Sequence, residues 1–251
     1  MVVYNLYNIS SKQRLRVKVA VDEKNASVDT VSGVWSTANW HERECWDLMG
    51  ISFNNHPDQR RILMPADWEG HPLRKDFDPA QRCLLTEDET MVPDWAEDDG
   101  EGADHFDTQV LNLGPSHPAT HGTLRIIVRL EGEVITRAEA EIGYLHRCFE
   151  KMSETHGWGE VIPYTDRLNY CSAMNNGVGY ALGVERMLGI EAPPRAQMVR
   201  LILCEFSRLM DHAVCLGANL VDLGALTNFW YFFQPREEIY SLLESCAGGR
   251  L

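Results

Sequence analysis

Two histidines, His117 and His121, lie four residues apart in the segment 114–122, whose sequence is GPSHPATHG. Pro118 lacks a backbone donor and clashes with a helical turn, so the two imidazoles do not share a helical face as the zinc ligands of an HExxH motif do. A loop is expected instead, in which Gly122 lets a ligand approach the backbone beside His121. Because histidine exchanges protons near neutral pH, this loop predicts a proton-donating site. A histidine that only fills a turn is the alternative.

Two further side chains in the second half of the chain could exchange protons with a ligand. Tyr170 follows the pair Asp166-Arg167, and Asp222 lies between apolar residues shortly before Gly224. Taken alone, a tyrosine is more often part of a core, and an aspartate near a glycine is more often a cap at a helix end. Their functional reading therefore depends on the rest of the sequence.

The composition predicts a globular protein with an acidic linker. The chain has 251 residues, of which 44% are hydrophobic, enough for one large or two ordinary domains. Its net charge is −14, from 23 basic and 37 acidic residues. Ten of the acidic residues, and no Lys or Arg, fall within 86–107, which leaves 27 acidic residues for the rest of the chain. Such a run cannot bury enough apolar surface to offset its ordering entropy, so a solvated linker is expected there.

Several classes of function are disfavoured by what the sequence lacks. It has no basic stripe with interleaved aromatic residues, as nucleic-acid-binding proteins have, and no apolar run as long as a membrane span. Its seven cysteines include no Cys-x-x-Cys, which argues against a disulfide framework and against a zinc or iron–sulfur cradle. No Gly-x-Gly-x-x-Gly follows a predicted strand, so nicotinamide binding by this chain is not expected.

The first half is predicted to be a small α+β domain. Apolar alternation favours strands near Val2–Ile9 and Leu15–Val21 that form a hairpin, with one face of the second strand buried. A helix is predicted from an N-cap at Asn39 to Met49, where Gly50 stops it. We expect the charged residues of this helix to face solvent: Glu42, Arg43, Glu44 and Asp47. The irregular segment 55–76 contains an arginine pair suited to carboxylates or carbonyls and is expected to lie over a partner.

The second half is predicted to begin with a β-hairpin and to continue as helices. A short strand at Val110–Leu113 precedes two strands that flank a three-residue turn at 131–133. Pro193-Pro194 opens a helix that is apolar almost all round and is therefore expected to be buried in a bundle. The charged residues of this helix, with their expected structural partners, are Arg200, Arg208, His212, Glu205 and Asp211.

Several ordered motifs resemble those of one family. The segments 39–51, 56–63 and 70–76 resemble the signature of the C subunit of respiratory NADH:quinone oxidoreductase (complex I), and the sequence from Leu111 onward is similar to the amino-terminal part of the D subunit. The resemblance implies a fused C/D protein, truncated before Val2 and after Leu251. It implies an α+β fold: a small antiparallel-sheet domain, and a hairpin-led helical bundle like the large subunit of nickel–iron hydrogenases. The corresponding domains are 1–79 (C-like, with a docking tail), 80–107 (acidic linker) and 108–251 (D-like).

The resemblance implies a peripheral-arm subunit of a proton-translocating oxidoreductase at the cytoplasmic side of the bacterial inner membrane. This subunit would form part of the headgroup site for a quinone such as ubiquinone, beside the terminal 4Fe-4S cluster of a neighbouring subunit. The chain itself would bind no metal or cofactor; quinone is the substrate, and NAD is used elsewhere in the complex. Its partners would be the other peripheral-arm subunits, above all the one that carries the cluster, and subunits of the membrane arm.

Residue roles follow from the same resemblance. Quinone reduction takes two electrons and two protons, and each developing oxyanion needs a hydrogen-bond donor. The family pattern implies that His121 donates to one carbonyl and Tyr170 to the other, while Asp222 orients His121. It also implies that Arg167 faces the neighbouring 4Fe-4S cluster and that His117 belongs to the ligand-binding loop. A cation near the cluster would favour its reduced form.

Two alternatives compete with this interpretation. A hydrogenase-like protein would need a pair of soft thiolates soon after Asp166-Arg167, yet Asn169 and Ser172 stand at those positions and Cys171 is out of place. The other alternative is a scaffold fragment that keeps the C-like docking surface but has no catalytic competence.

Overall fold

The computed structural model describes residues 1–80, Trp95 and 108–250. The chain divides into two compact units, Met1–Cys148 and Phe149–Leu251. The predicted acidic linker, 80–107, lies outside the described residues except for Ala80 and Trp95. The predicted division into 1–79, 80–107 and 108–251 therefore stays a prediction.

The first unit opens with the predicted hairpin. Strand β1 (Val2–Tyr7) pairs antiparallel with β2 (Arg14–Val19), and Val2 lies opposite Val19. The expected burial of one face of β2 is wrong, because Leu15 is 61% and Val17 is 39% exposed. These two strands form a sheet of their own, so their apolar face has no third strand beside it among the described residues.

The rest of the C-like part is a helix beside a short parallel strand pair. Strand β3 (Ser27–Asp29) pairs in parallel with β4 (Ser52–Asn54), and helix α1 (Ala38–Met49) lies between them in the chain. The helix starts one residue before the predicted cap, and its N-cap is Thr37. It ends as predicted at Gly50, whose φ of 71° is left-handed and whose N–H donates to the Trp46 carbonyl at 2.8 Å.

The predicted solvated face of α1 is wrong at three of its four charged residues, because the side chain of Arg43 is only 12% exposed and two carboxylates are buried. Glu42 is 2% exposed and Asp47 is 0% exposed. The Glu42 carboxylate accepts from the Val31 N–H at 2.9 Å and from the Thr30 hydroxyl. Both carboxylates are buried because backbone N–H groups of neighbouring loops satisfy them, as a buried charge requires.

A three-stranded antiparallel sheet completes the first unit. Its strands are β5 (Thr108–Leu113), β6 (Arg125–Glu131) and β7 (Val134–Glu141), in that order. The predicted hairpin between β6 and β7 is confirmed, and its turn contains Gly132 with a φ of 61°. The buried centre of this sheet is formed by Ile127 and Val128 of β6.

The second unit is helical. Its helices are α2 (Phe149–Ser153), α3 (Ile162–Asp166), α4 (Ala173–Leu188), α5 (Pro194–Asp222) and α6 (Leu226–Ala247). Helices α5 and α6 pack around a core of Met210, Tyr240 and Leu243. They approach closely at Gly217, where an added Cβ would lie 2.9 Å from the Phe229 ring. Together with the sheets of the first unit, these helices confirm the predicted α+β class.

Helix α5 differs from its prediction in burial. Pro193 and Pro194 open it as expected, but Leu201 is 56% and Leu209 is 54% exposed, so the helix is not buried all round. Apolar periodicity reports which side chains favour burial, whereas burial itself requires a neighbouring element. No helix of the described residues is long and apolar enough to cross a membrane.

The ion pairs of α5 follow the prediction only in part. Arg208 pairs with Glu205 as expected. Arg200 instead pairs with Glu185 of α4, at 2.8 Å between Nη1 and Oε2. This second pair links two helices, which a comparison of residues along one helix could not reveal.

Candidate functional site

The histidine loop spans 114–124 and is fixed at both of its stems. An added Cβ on Gly114, whose φ is 95°, would lie 1.7 Å from the Leu124 carbonyl oxygen, so only glycine allows this approach. Next to it, Arg125 is 6% exposed. Its guanidinium lies 2.8 Å from Glu141 Oε2 and 3.1 Å from Asn112 Oδ1. Arg125 therefore links its own strand, β6, to β7 by an ion pair and to β5 by a hydrogen bond, at the base of the loop that joins β5 and β6.

His117 caps a short 3-10 turn, Pro118–Thr120, and its ring is exposed. The ring Nδ1 accepts a hydrogen bond from the Ala119 N–H at 3.1 Å. An accepting Nδ1 carries no proton, so this neutral imidazole holds its proton on Nε2. His117 thereby has one ring donor that the turn itself does not use.

His121 ends the same turn in the left-handed conformation. Its φ is 49°, and its N–H donates to the Pro118 carbonyl at 3.2 Å. For a residue with a Cβ this conformation costs roughly 1 to 2 kcal/mol, so the loop holds His121 against a local preference. An added Cβ on Gly122 would meet no atom within 4 Å, so open space lies beside His121.

Arg167 follows α3 at the surface of the second unit. Its Nη1 donates to the Pro163 carbonyl at 2.7 Å, which folds the side chain back along the helix. Burial raises the pKa of the neighbouring Asp166, and the charge of Arg167 partly opposes that shift. The guanidinium has further donors beyond this one bond.

Tyr170 begins a 3-10 turn, Tyr170–Ser172, and its side chain is 50% exposed. The turn is braced by a bond of 2.6 Å from Asn169 Nδ2 to Ser172 Oγ. Burial raises the pKa of the Cys171 thiol, as does the charge of Asp211, while Arg236 opposes the shift. The inner side of the turn therefore packs toward α5 and α6, and Tyr170 stays at the surface.

Asp222 is the last residue of α5. The N-cap of α6 is Ala225, so Asp222 does not hold that capping position, and the helix dipole disfavours a carboxylate where it stands. It lies eleven residues beyond Asp211, which is about 16 Å along a helix axis. Asp222 is thus well separated from the stretch of α5 next to Tyr170.

The predicted site residues fall into separate groups. His117 and His121 share one turn of the first unit. Arg167 and Tyr170 lie three residues apart in the second unit, and Asp222 lies at the far end of α5 in that unit. The predicted interplay of His121 with Tyr170 and with Asp222 joins residues of different units and remains a prediction.

The sequence reasoning missed a buried anchor, Asp47. Its Oδ2 accepts three backbone N–H groups, from Ile62 at 3.0 Å, Leu63 at 2.8 Å and Met64 at 2.9 Å. Its Oδ1 lies 2.7 Å from Arg61 Nη1. The one sequence feature that could have indicated this anchor is the pair Arg60-Arg61. Two arginines predict a carboxylate or carbonyl partner, but they do not identify Asp47 as that partner.

The segment that Asp47 anchors lies against the three-stranded sheet of the same unit. An added Cβ on Gly143, whose φ is 110°, would lie 2.4 Å from the Leu63 carbonyl oxygen. Farther along the segment, Arg60 Nη1 lies 2.8 Å from Glu139 Oε1. Trp95, which is 8% exposed, donates from Nε1 to Glu139 Oε2 at 3.1 Å. The predicted docking tail therefore packs within this chain, on β7.

One family model matches the beginning of the chain. Residues 1–82 match the model described as Respiratory-chain NADH dehydrogenase, 30 Kd subunit. Among solved structures, the chain is similar to part of the membrane-bound sulfane sulfur reductase, an archaeal respiratory membrane complex. That match has 30% identity and a TM-score of 0.54, and it covers 58% of this chain and 39% of the other.

Curated relatives match the whole chain. Proteins named as the C/D subunit of NADH-quinone oxidoreductase are 49% identical in Bdellovibrio bacteriovorus, 43% in Ectopseudomonas mendocina and 41% in Azotobacter vinelandii. In each case all of this chain aligns with 44% of the relative, so the chain spans less than half the length of these proteins. The matches confirm the resemblance that the motifs indicate.

Proposed function

We propose that this chain, a relative of the fused C/D subunits of NADH-quinone oxidoreductase, takes part in quinone reduction as a peripheral subunit of that enzyme. The observation that carries the proposal is the similarity along the whole chain, 49% identity over 252 residues, to a protein of that name. The sulfane sulfur reductase is a weaker guide, since it matches at 30% identity over 58% of the chain. Quinone is therefore the preferred substrate.

His121 and Tyr170 are the proposed donors to the two quinone carbonyls. Three features of the chain support these roles. The phenol of Tyr170 is half exposed on a braced turn, the ring of His121 is exposed, and the loop of His121 is fixed at its base by Gly114 and Arg125. A donor that is already positioned stabilises a developing oxyanion without reorganisation, and that is where catalysis gains most.

Asp222 is proposed to orient His121, and His117 to contact the ligand from the same loop. A carboxylate against the far ring nitrogen would fix the tautomer and stabilise the imidazolium. Asp222 stands at the carboxyl end of α5, where the helix dipole disfavours a carboxylate, which agrees with a role toward a cationic imidazolium.

Arg167 is proposed to face a 4Fe-4S cluster carried by a neighbouring subunit, since the residues of this chain at the hydrogenase-like positions do not suit a metal. The amide of Asn169 and the hydroxyl of Ser172 bond to each other where a hydrogenase-like site needs thiolates, and burial raises the pKa of the nearby Cys171. The proposed partners are the cluster-bearing subunit, the other peripheral-arm subunits and the membrane arm. The proposed complex translocates protons and uses NAD in another of its subunits. The proposed location of this chain is the cytoplasmic side of the inner membrane.

The test uses His121→Ala and Asp222→Asn in an assembled complex that carries this sequence. Both variants should slow quinone reduction while electron transfer from NADH to an artificial acceptor upstream of the quinone remains normal. Asp222→Asn keeps the shape of the side chain and should shift the pH profile of quinone reduction, because it weakens the imidazolium. Equal losses with both acceptors would assign these residues to structure, as in the scaffold alternative.

A further inference from the structure

Cys148 and His146 form a thiol–imidazole pair that the proposed function does not use. Cys148 Sγ lies 3.3 Å from His146 Nε2, and both side chains are partly exposed. Cys148 has a φ of 50°, in the left-handed region that residues with a Cβ seldom adopt. A cysteine whose sulfur touches an imidazole can pass its proton to the ring and become a thiolate.

The backbone of His146 is held by a turn. Its backbone N–H donates to the Gly143 carbonyl at 2.8 Å. Gly143 in turn has no room for a Cβ, because the Leu63 carbonyl oxygen would lie 2.4 Å from it. The backbone that carries His146 is thus packed against the segment anchored by Asp47.

The other described cysteines have different surroundings. Burial raises the pKa of Cys45, Cys171 and Cys204, which keeps these thiols protonated and unreactive. Cys215 and Cys246 are both exposed, and Cys215 lies 3.9 Å from the amide of Asn219, an uncharged group. Cys215 therefore serves as the matched control: an accessible thiol with a neutral neighbour.

We propose that Cys148 and His146 act as a thiolate–imidazolium pair that makes Cys148 a site of reversible thiolation by low-molecular-weight disulfides such as glutathione disulfide. This proposal is independent of the quinone site.

The reaction balances without any further oxidant. The Cys148 thiolate attacks one sulfur of the disulfide, a new S–S bond forms and the original S–S bond breaks. The departing thiolate takes up the proton that the Cys148 thiol had given to His146. One thiol and one disulfide are consumed, and one mixed disulfide and one thiol are produced, so excess thiol reverses the modification.

The expected gain in rate is modest. A neighbouring imidazolium raises the thiolate fraction of a cysteine at neutral pH, but it also lowers the nucleophilicity of that thiolate, so the two effects partly cancel. The pair should therefore make Cys148 roughly threefold faster than an ordinary exposed thiol at about pH 7.

The first experiment measures the alkylation rate of each cysteine in the reduced full chain with iodoacetamide, by mass spectrometry of peptides. At about pH 7, Cys148 should react about threefold faster than Cys215 and more than tenfold faster than Cys45, Cys171 and Cys204. His146→Gln should slow Cys148 about threefold at pH 7 and leave its rate unchanged at about pH 10, where the imidazole is neutral and the thiol is ionised in both proteins. A Cys148 rate at or below that of Cys215 would overturn the proposal.

The second experiment exposes the chain to glutathione disulfide and then to excess glutathione. A mass increase of one glutathionyl group should map to Cys148, disappear on reduction and be absent in Cys148→Ser. If His146→Gln disturbed the fold, the thiols whose pKa burial raises, Cys45, Cys171 and Cys204, would become more reactive in the same alkylation data, and Cys148→Ser would still test the site of modification. Preferential modification of Cys215, or an equal rate with His146→Gln at pH 7 in a folded protein, would contradict the pair.

Discussion

The guanidinium of Arg61 lies 2.7 Å from the carboxylate of Asp47, and the exposed fractions of the two side chains are 11% and 0%. The other Asp47 oxygen accepts three consecutive backbone N–H groups, from residues 62–64. An irregular segment without helix or strand is thus fixed to α1 by Asp47, and Arg43 of the same helix adds hydrogen bonds to the Arg60 and Arg61 carbonyls. Breaking a buried pair leaves an uncompensated charge, which makes Asp47 a sensitive point of the first unit.

Asp47→Asn should reduce the free energy of unfolding by about 3 to 5 kcal/mol. The amide keeps the shape and one accepting oxygen, but its NH₂ group must face either Arg61 or the backbone donors. Urea unfolding followed by circular dichroism measures the change. The matched control is Glu44→Gln on the exposed side of the same helix, which should change stability by less than about 0.5 kcal/mol. Similar losses in the two variants would refute the role given to Asp47.

The contact between Gly143 and the Leu63 carbonyl predicts a second sensitive position. Gly143→Ala places a Cβ 2.4 Å from a backbone oxygen, at a φ of 110°, and should cost about 3 kcal/mol or more from strain and overpacking together. Gly132→Ala is the control, because its φ is 61° and its added Cβ meets no atom within 4 Å. That change should cost only about 1 kcal/mol. The two unfolding free energies should differ clearly, and equal values would mean that the contact with Leu63 is not tight.

Glu139 predicts a dependence of stability on pH. Burial alone would raise the pKa of Glu139, but hydrogen bonds from Trp95 and Arg60 bring it below the ordinary value of 4.5. A carboxylate with a lowered pKa in the folded state stabilises the fold above its unfolded pKa and loses this contribution as the pH falls through the folded value. The free energy of unfolding is measured at pH 6 and then at successively lower pH, to below about pH 4.5. It should fall less steeply with decreasing pH in Glu139→Gln than in the unchanged chain. Glu133→Gln, in the exposed hairpin turn, should keep the original slope; a slope equal to that of Glu139→Gln would rule out the effect.

Local signals predicted the elements well and the burial of charges poorly. The stop at Gly50, the hairpin turn at Gly132 and the opening of α5 at Pro194 depend on neighbours within a few residues, and all three are present. The burial of Asp47 depends on donors 14 to 17 residues away in an irregular segment, which periodicity does not register. The exposure of α5 depends on which elements stand beside it, and a pattern of apolar residues carries no such information.

Family motifs predict the residues of the candidate site more than physical chemistry does. The proline and glycines of 114–122 predict the loop that holds His121, and the structure has a fixed loop there. Nothing in the spacing of His121, Tyr170 and Asp222 relates one to another, because 49 and then 52 residues separate them in the chain. Their joint role therefore rests on the family resemblance and needs a direct kinetic test.

The most direct test compares Tyr170→Phe with Tyr231→Phe in an assembled complex that carries this sequence. Both changes remove one phenol hydroxyl from a surface tyrosine, since the exposed fractions are 50% and 67%. A donor to the developing oxyanion is worth about 2 to 4 kcal/mol, so Tyr170→Phe should slow quinone reduction by about a hundredfold if chemistry limits the rate. Electron transfer from NADH to an artificial acceptor should stay normal, and Tyr231→Phe should change neither rate. Normal quinone reduction in Tyr170→Phe, or an equal loss with both acceptors, would contradict the assignment of Tyr170 to the quinone site.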